Sequence, residues 1–146
     1  MYLDSAIIVK LLVREIDSAW FVRHLSGHSF ESSELCLAEV PAALLFKERA
    51  GNIKLQERDA ALEKFFSMIK GELVLPLALD RKVIERARAI QLACHPRIPL
   101  RTLDALHVAT CDLHQKDMSA TDGRIRSACH QLGIALVPEK IEELPR

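Results

Sequence analysis

Short apolar runs alternate along this 146-residue chain with segments whose apolar residues recur at helical spacing. That alternation implies an α/β fold on a mainly parallel sheet. Glycines and prolines fall where the two kinds of segment should be separated. Residues 1–3 read as a first strand. Ile7, Ile8, Leu11 and Leu12 then open a first helix. A weaker strand lies near residues 28–30. Ser33 suits the N-cap of a helix running toward Ala50, with Pro41 kinking it or lying in its first turns. Leu62, Phe65, Phe66 and Ile69 stand at i, i+3, i+4 and i+7, and Gly71 follows as a stop. Residues 72–77 form a strand, and Val83, Ala87 and Ile90 mark a helix after it. Pro96 and Pro99 punctuate a loop before a helix near Thr102 that carries Leu103, Leu106 and Leu113. Residues 118–121 form a strand. Ile125, Ala128, Cys129 and Leu132 form a last helix stopped by Gly133, and residues 134–137 a final strand.

The length suits one domain spanning 1–146, large enough to bury a core without disulfide or metal staples. Hydrophobic residues at 49% and charged residues at 27% exclude a disordered chain. No apolar run approaches the roughly 18 residues of a membrane span; the longest, 35–46, is broken by Glu39 and Pro41. Asp4 stands where a signal peptide would carry its basic flank, so a cytoplasmic protein with no membrane association is expected. Cys36, Cys94, Cys111 and Cys129 form no C-x-x-C pair, which argues for buried reduced thiols over a zinc ribbon or disulfide framework. Formal net charge is zero, which excludes a strongly basic nucleic-acid coat. The charge is uneven, however. Residues 1–80 carry nine Lys and Arg against twelve Asp and Glu; residues 81–146 carry eleven against eight.

In parallel α/β sheets, ligands bind beyond the carboxyl ends of the strands. Asp4 follows the first strand, and Asp122 follows the strand ending at Thr121. Asp104 opens the helix in T-L-D-A-L-H, and Glu39 lies on the helix after Ser33. Each has a plain structural reading: helix caps or first-turn acids for Asp4 and Asp104, a turn residue for Asp122, a solvated helix acid for Glu39. Yet Glu39 sits in the apolar stretch C-L-A-E-V-P-A-A-L-L with no cation nearby in sequence, and a buried carboxylate needs a partner. Two like charges about 4 Å apart repel by roughly 4 kcal/mol at an effective dielectric of 20. A divalent ion turns that repulsion into a binding site, and oxygen-only ligands suit Mg²⁺ or Mn²⁺ rather than zinc. Carboxylates holding such ions support phosphoryl chemistry.

Four segments in order carry a resemblance: Y-L-D-S-A-I-I-V-K-L-L, S-S-E-L-C-L-A-E-V-P-A-A-L, L-R-T-L-D-A-L-H-V-A-T and S-A-T-D-G-R-I-R-S-A-C-H-Q-L-G-I. The sequence resembles the PIN-domain ribonucleases, and more narrowly the VapC-type toxins of toxin–antitoxin pairs. The resemblance implies a three-layer α/β/α sandwich and Mg²⁺- or Mn²⁺-dependent endonucleolytic cleavage of RNA. It assigns the metal-binding acids to Asp4, Glu39, Asp104 and Asp122, and a supporting role beside the first acid to Ser5. Arg101 matches a basic position before the third acid. It further implies a cognate antitoxin, docked near the first two helices through Ile7, Leu11, Trp20 and Phe21, and a homodimer. Pro41 and the short stretch from His114 to Asp122 depart from the family pattern.

Between residues 81 and 126, nine basic residues face five acids; with Asp104 and Asp122 assigned to metal, three acids remain. That excess suits a phosphate-contacting surface, with Arg124 and Arg126 beside Asp122 as its first candidates and a solvated helix face as the alternative. His107, three residues after Asp104 on one helix face, reads as a packing or supporting residue. Few aromatics are free for stacking, so recognition of a folded RNA by shape and phosphate is expected. Two other functions remain open. A phosphohydrolase or phospho-acceptor domain would use Asp4 as nucleophile, although position 6 is Ala and no acidic pair adjoins the first strand. A silent PIN-like binding module would keep the acids without chemistry.

Overall fold

A computed structural model describes residues 1–145. Four parallel strands lie in the order β3-β2-β1-β4: β1 (Tyr2–Leu3), β2 (Phe30–Ser33), β3 (Val74–Leu77) and β4 (Met118–Ser119). Seven α-helices connect and follow them: α1 (Ser5–Leu12), α2 (Ser18–Leu25), α3 (Cys36–Arg49), α4 (Leu55–Lys70), α5 (Arg81–Cys94), α6 (Thr102–Leu113) and α7 (Gly123–Leu132).

Alternation along β1 sends Tyr2 and Leu3 to opposite faces of the sheet. Tyr2 and Met118 join Val83, Ala87, Ala105, Val108 and Ile125 in a core under α5, α6 and α7. Leu3, Phe30 and Val74 join Ile7, Phe21, Val40, Leu44 and Phe65 in a second core under α1 to α4. The sheet therefore separates two helical layers, and the expected α/β/α sandwich is what the chain forms. Ile7 and Phe21 are fully buried in that second core, which removes them from an outer docking surface.

Several expected elements shift for identifiable reasons. The weak strand near 28–30 is β2, which continues to Ser33. Ser33 is therefore a strand residue, not the α3 N-cap; its N–H donates to Tyr2 Oη at 3.0 Å. Leu35 caps α3 without a side-chain bond. Pro41 is a true interior residue of α3 and deletes the donor that would reach the Leu37 carbonyl. Residues 134–137 do not form a strand. They make one parallel bridge between Leu136 and Met118, held by Met118 N–H to the Ala135 carbonyl and Val137 N–H to the Met118 carbonyl. Pro138 has no N–H with which to extend it. β4 likewise stops at Ser119, before Thr121, because the chain turns there into α7. Gly133 ends α7 in the left-handed region at φ 72°, where a side chain would be strained. No helix among the described residues is long and apolar enough to cross a membrane.

Candidate active site

β1 and β4 are neighbours, and β1 leads into one helical layer while β4 leads into the other. Their carboxyl ends form the crevice in which such sheets bind ligands. The Asp4 N–H donates to the Ser119 carbonyl at 3.1 Å, which fixes the two ends together. Asp4 then caps α1, accepting from the Ile7 N–H at 2.9 Å. Asp122 caps α7, accepting from the Arg124 and Ile125 N–H groups at 2.7 and 3.2 Å. The capping reading of Asp4 is therefore correct, and Asp122 is a cap as well rather than a plain turn residue. Each carboxylate is held at the mouth of a helix N-terminus, where negative charge is favoured. Asp104 lies in the first turn of α6. All four acids line one open cleft of about 250 Å³, with Ser5 and His107 between them and Val9, Ala43 and Ile125 as its apolar wall.

Burial dominates the electrostatics. Asp4 is 3% exposed. Loss of solvent raises its pKa from 3.8 to about 6, with the charges of Glu39 and Asp122 adding to the rise and the Ile7 N–H and His107 opposing it. Burial and then the charge of Asp122 push Asp104 up as well, while Arg101 and Arg124 pull it back. Asp104 Oδ2 is buried and has no hydrogen-bond partner among the described residues.

Glu39 departs from expectation. Instead of standing without a protein partner, its Oε2 accepts from Ser5 Oγ at 2.5 Å and from His107 Nε2 at 2.7 Å. Burial alone would raise its pKa. The His107 and Ser5 interactions outweigh that and hold the carboxyl below its usual range. Ser5 thus serves Glu39 rather than the first acid. Sequence reasoning gave Tyr2 no role, yet its hydroxyl lies 2.7 Å from His107 Nδ1. The available signal was a lone tyrosine on a strand otherwise built of apolar residues.

Arg101 and Arg124 stand close enough to Asp104 to act on its charge, and neither is held in an ion pair among the described residues. Both can face a phosphate. Arg126 does not. It is 8% exposed, and its guanidinium donates to the carbonyls of Ala120, Pro138 and Glu139 at 3.1, 3.1 and 2.8 Å. It braces the C-terminal segment against the turn before Asp122, so its assignment to an RNA-contacting surface is corrected. Arg86 is likewise engaged, by Asp112 at 2.7 Å. The four cysteines are free and buried.

Among the described residues, no three His, Cys, Asp or Glu side chains already form a ready-made ion cage. Helix capping by Asp4 and Asp122, and the bonds from His107 and Ser5 to Glu39, turn one oxygen of each away. The donor set nevertheless fits a hard divalent cation: it is oxygen-rich, buried at Asp4, and leaves Asp104 Oδ2 unsatisfied.

Sandwich topology and an acid-lined cleft at the β1 and β4 ends define the class of α/β/α proteins with a carboxylate site at a strand crossover. Residues 1–136 match the family model described as "PIN domain". The chain belongs to the PIN domain family. It is 34% identical over 145 residues to Ribonuclease VapC46 of Mycobacterium tuberculosis, covering 94% of this chain and 95% of that one. Its fold is similar to the crystal structure of FitAcB from Neisseria gonorrhoeae, with a TM-score of 0.64 at 14% identity over 92% of this chain and 94% of the other. It is also similar to a toxin–antitoxin complex from Klebsiella pneumoniae, with a TM-score of 0.58 at 13% identity over 83% and 85% of the two chains.

Proposed function

We propose that this chain is a metal-dependent endoribonuclease and the toxin of a toxin–antitoxin pair. The observation that carries the reading is the convergence of Asp4, Glu39, Asp104 and Asp122 on one cleft. The 34% identity to a ribonuclease supports the substrate class. Asp4, Asp104 and Asp122 would hold Mg²⁺ or Mn²⁺, with Glu39 joining them or orienting the attacking water. When bound, such an ion supplies activation of water and stabilisation of the leaving oxygen of a phosphodiester. The remaining work falls to the chain itself. Arg101 and Arg124 draw the RNA backbone toward the acids and lessen their mutual repulsion. Ser5 and His107 keep Glu39 ionised. The apolar wall of Val9, Ala43 and Ile125 limits water on one side of the cleft.

The partners follow from the same reading. The structurally similar Klebsiella pneumoniae protein comes from a toxin–antitoxin complex, which supports a cognate antitoxin. A homodimer is supported by the outer face of α3, where Leu37, Leu45 and Phe46 stay exposed; a monomer mass by light scattering at micromolar concentration would remove it. Four buried free thiols suit a reducing cytoplasm.

The test is cleavage of total cellular RNA by antitoxin-free protein with Mg²⁺, with Mn²⁺ and with EDTA, beside Asp4→Asn and Asp104→Asn. Cleavage is expected only with metal, and only in the wild type. Undiminished cleavage by both variants would overturn the mechanism.

A further inference from the structure

Asp4 and Asp122 are positioned by backbone amides at helix N-termini, because each is a cap. Glu39 has no such support. It lies in the first turn of α3, and its flexible side chain must reach across the cleft toward α1 and α6. Something else must fix it, because an unheld glutamate samples many rotamers. The side chains that contact it form a hydrogen-bond chain that starts in the sheet.

The Ser33 N–H of β2 can only donate, and it donates to Tyr2 Oη at 3.0 Å. The single Tyr2 proton is then directed to its other partner, His107 Nδ1, at 2.7 Å. Tyr2 is fully buried, and burial keeps its hydroxyl protonated. With Nδ1 accepting, the imidazole carries its hydrogen on Nε2. That nitrogen donates to Glu39 Oε2 at 2.7 Å. Ser5 Oγ donates to the same oxygen. Oε2 is therefore doubly engaged, while Oε1 has no hydrogen-bond partner among the described residues. If Tyr2 served packing alone, a phenylalanine would fill its place in the core without a hydroxyl to satisfy.

We infer that Tyr2 and His107 are positioning residues: the directed chain from the Ser33 amide through Tyr2 and His107 orients Glu39 so that one oxygen is saturated and the other is presented to the cleft. The inference rests on the metal-dependent reading above. It makes β1 carry two functions within three residues, with Asp4 as a carboxylate of the site and Tyr2 as the anchor of another. Partners that orient metal-binding side chains typically change metal affinity or activity roughly 10–100-fold when removed.

The experiment is Mn²⁺ titration by calorimetry of the intact chain, run with RNA-cleavage kinetics and with ¹⁵N NMR of the imidazole nitrogens. The variants are His107→Ala, His107→Gln, Tyr2→Phe and Asp4→Asn, each checked for folding by circular dichroism. The wild type should show His107 hydrogenated on Nε2. Tyr2→Phe should mix the two tautomers. His107→Ala should weaken Mn²⁺ binding roughly 10–100-fold and lower kcat with little change in KM. His107→Gln retains a donor near the Nε2 position and should recover most of the affinity. A folded His107→Ala protein that binds Mn²⁺ as the wild type does, while Asp4→Asn does not, overturns the positioning role and leaves the nuclease reading standing. A wild type that binds no Mn²⁺ overturns both. If His107→Ala is unfolded, His107→Gln and Tyr2→Phe decide: wild-type Mn²⁺ affinity in Tyr2→Phe with a hydrogen on Nδ1 in the wild type refutes the chain.

Discussion

Replacing Asp4 by Asn should stabilise the metal-free protein at neutral pH. Asp4 has an ordinary pKa of 3.8 when the chain is unfolded and one of about 6 when folded, because burial disfavours its charge. A folded-state pKa raised above the unfolded value means that full stability is present below about pH 4 and is lost as pH rises through about 6. At about 1.4 kcal/mol per pH unit, the loss complete by pH 7–8 is about 3 kcal/mol. Asn caps a helix about as well as Asp, so the bond from the Ile7 N–H survives. Its missing charge forfeits up to about 1 kcal/mol of interaction with the α1 N-terminus. The net gain at pH 8 is then about 2 kcal/mol. The assay is urea unfolding of both proteins in EDTA from pH 4 to pH 8. The stability difference should grow in favour of the Asp4→Asn variant across pH 5–7, and saturating Mn²⁺ should reverse it by stabilising the wild type alone. A difference independent of pH, or a variant less stable at pH 8, would refute the argument that Asp4 is a strained ionised group awaiting a cation.

Three further outcomes are expected. Arg126→Ala removes charged donors from three carbonyls and should cost about 3 kcal/mol, read as a fall in Tm of roughly 6–12 °C with the Asp4 site chemistry otherwise intact. Asp104→Asn should abolish cleavage without lowering stability in EDTA, since Oδ2 has no partner to lose and burial already disfavours its charge. Arg124→Ala and Arg101→Ala should raise KM for RNA, and each should flatten the dependence of log affinity on log salt by about one contact, while kcat changes less.

The alternation of strands and helices was legible because each apolar stripe had only one element type that would bury it. The four acids were legible because parallel strands place whatever follows them at one edge, so Asp4 and Asp122 could be set together without coordinates. Ser33 misled because hydroxyls cap helices and also end strands; its pairing with Leu77 and its N–H bond to Tyr2 decided the matter. The 134–137 segment has strand composition, yet Pro138 limits it to one bridge. Arg126 was assigned to RNA because charge and sequence distance to Asp122 were all that could be seen. Residues 138 and 139 fold back over it and take its donors.

Sequence alone determined the layers, the edge of the sheet that carries the acids and the kind of ion those oxygens suit, because these depend on local periodicity and residue chemistry. Tertiary structure alone decided which acid is held by which group. Tyr2 and His107 are 105 residues apart, and Glu39 is 68 residues from His107. A hydrogen bond depends on ångström-scale direction, which only the packing of β1, α3 and α6 around one cleft could set.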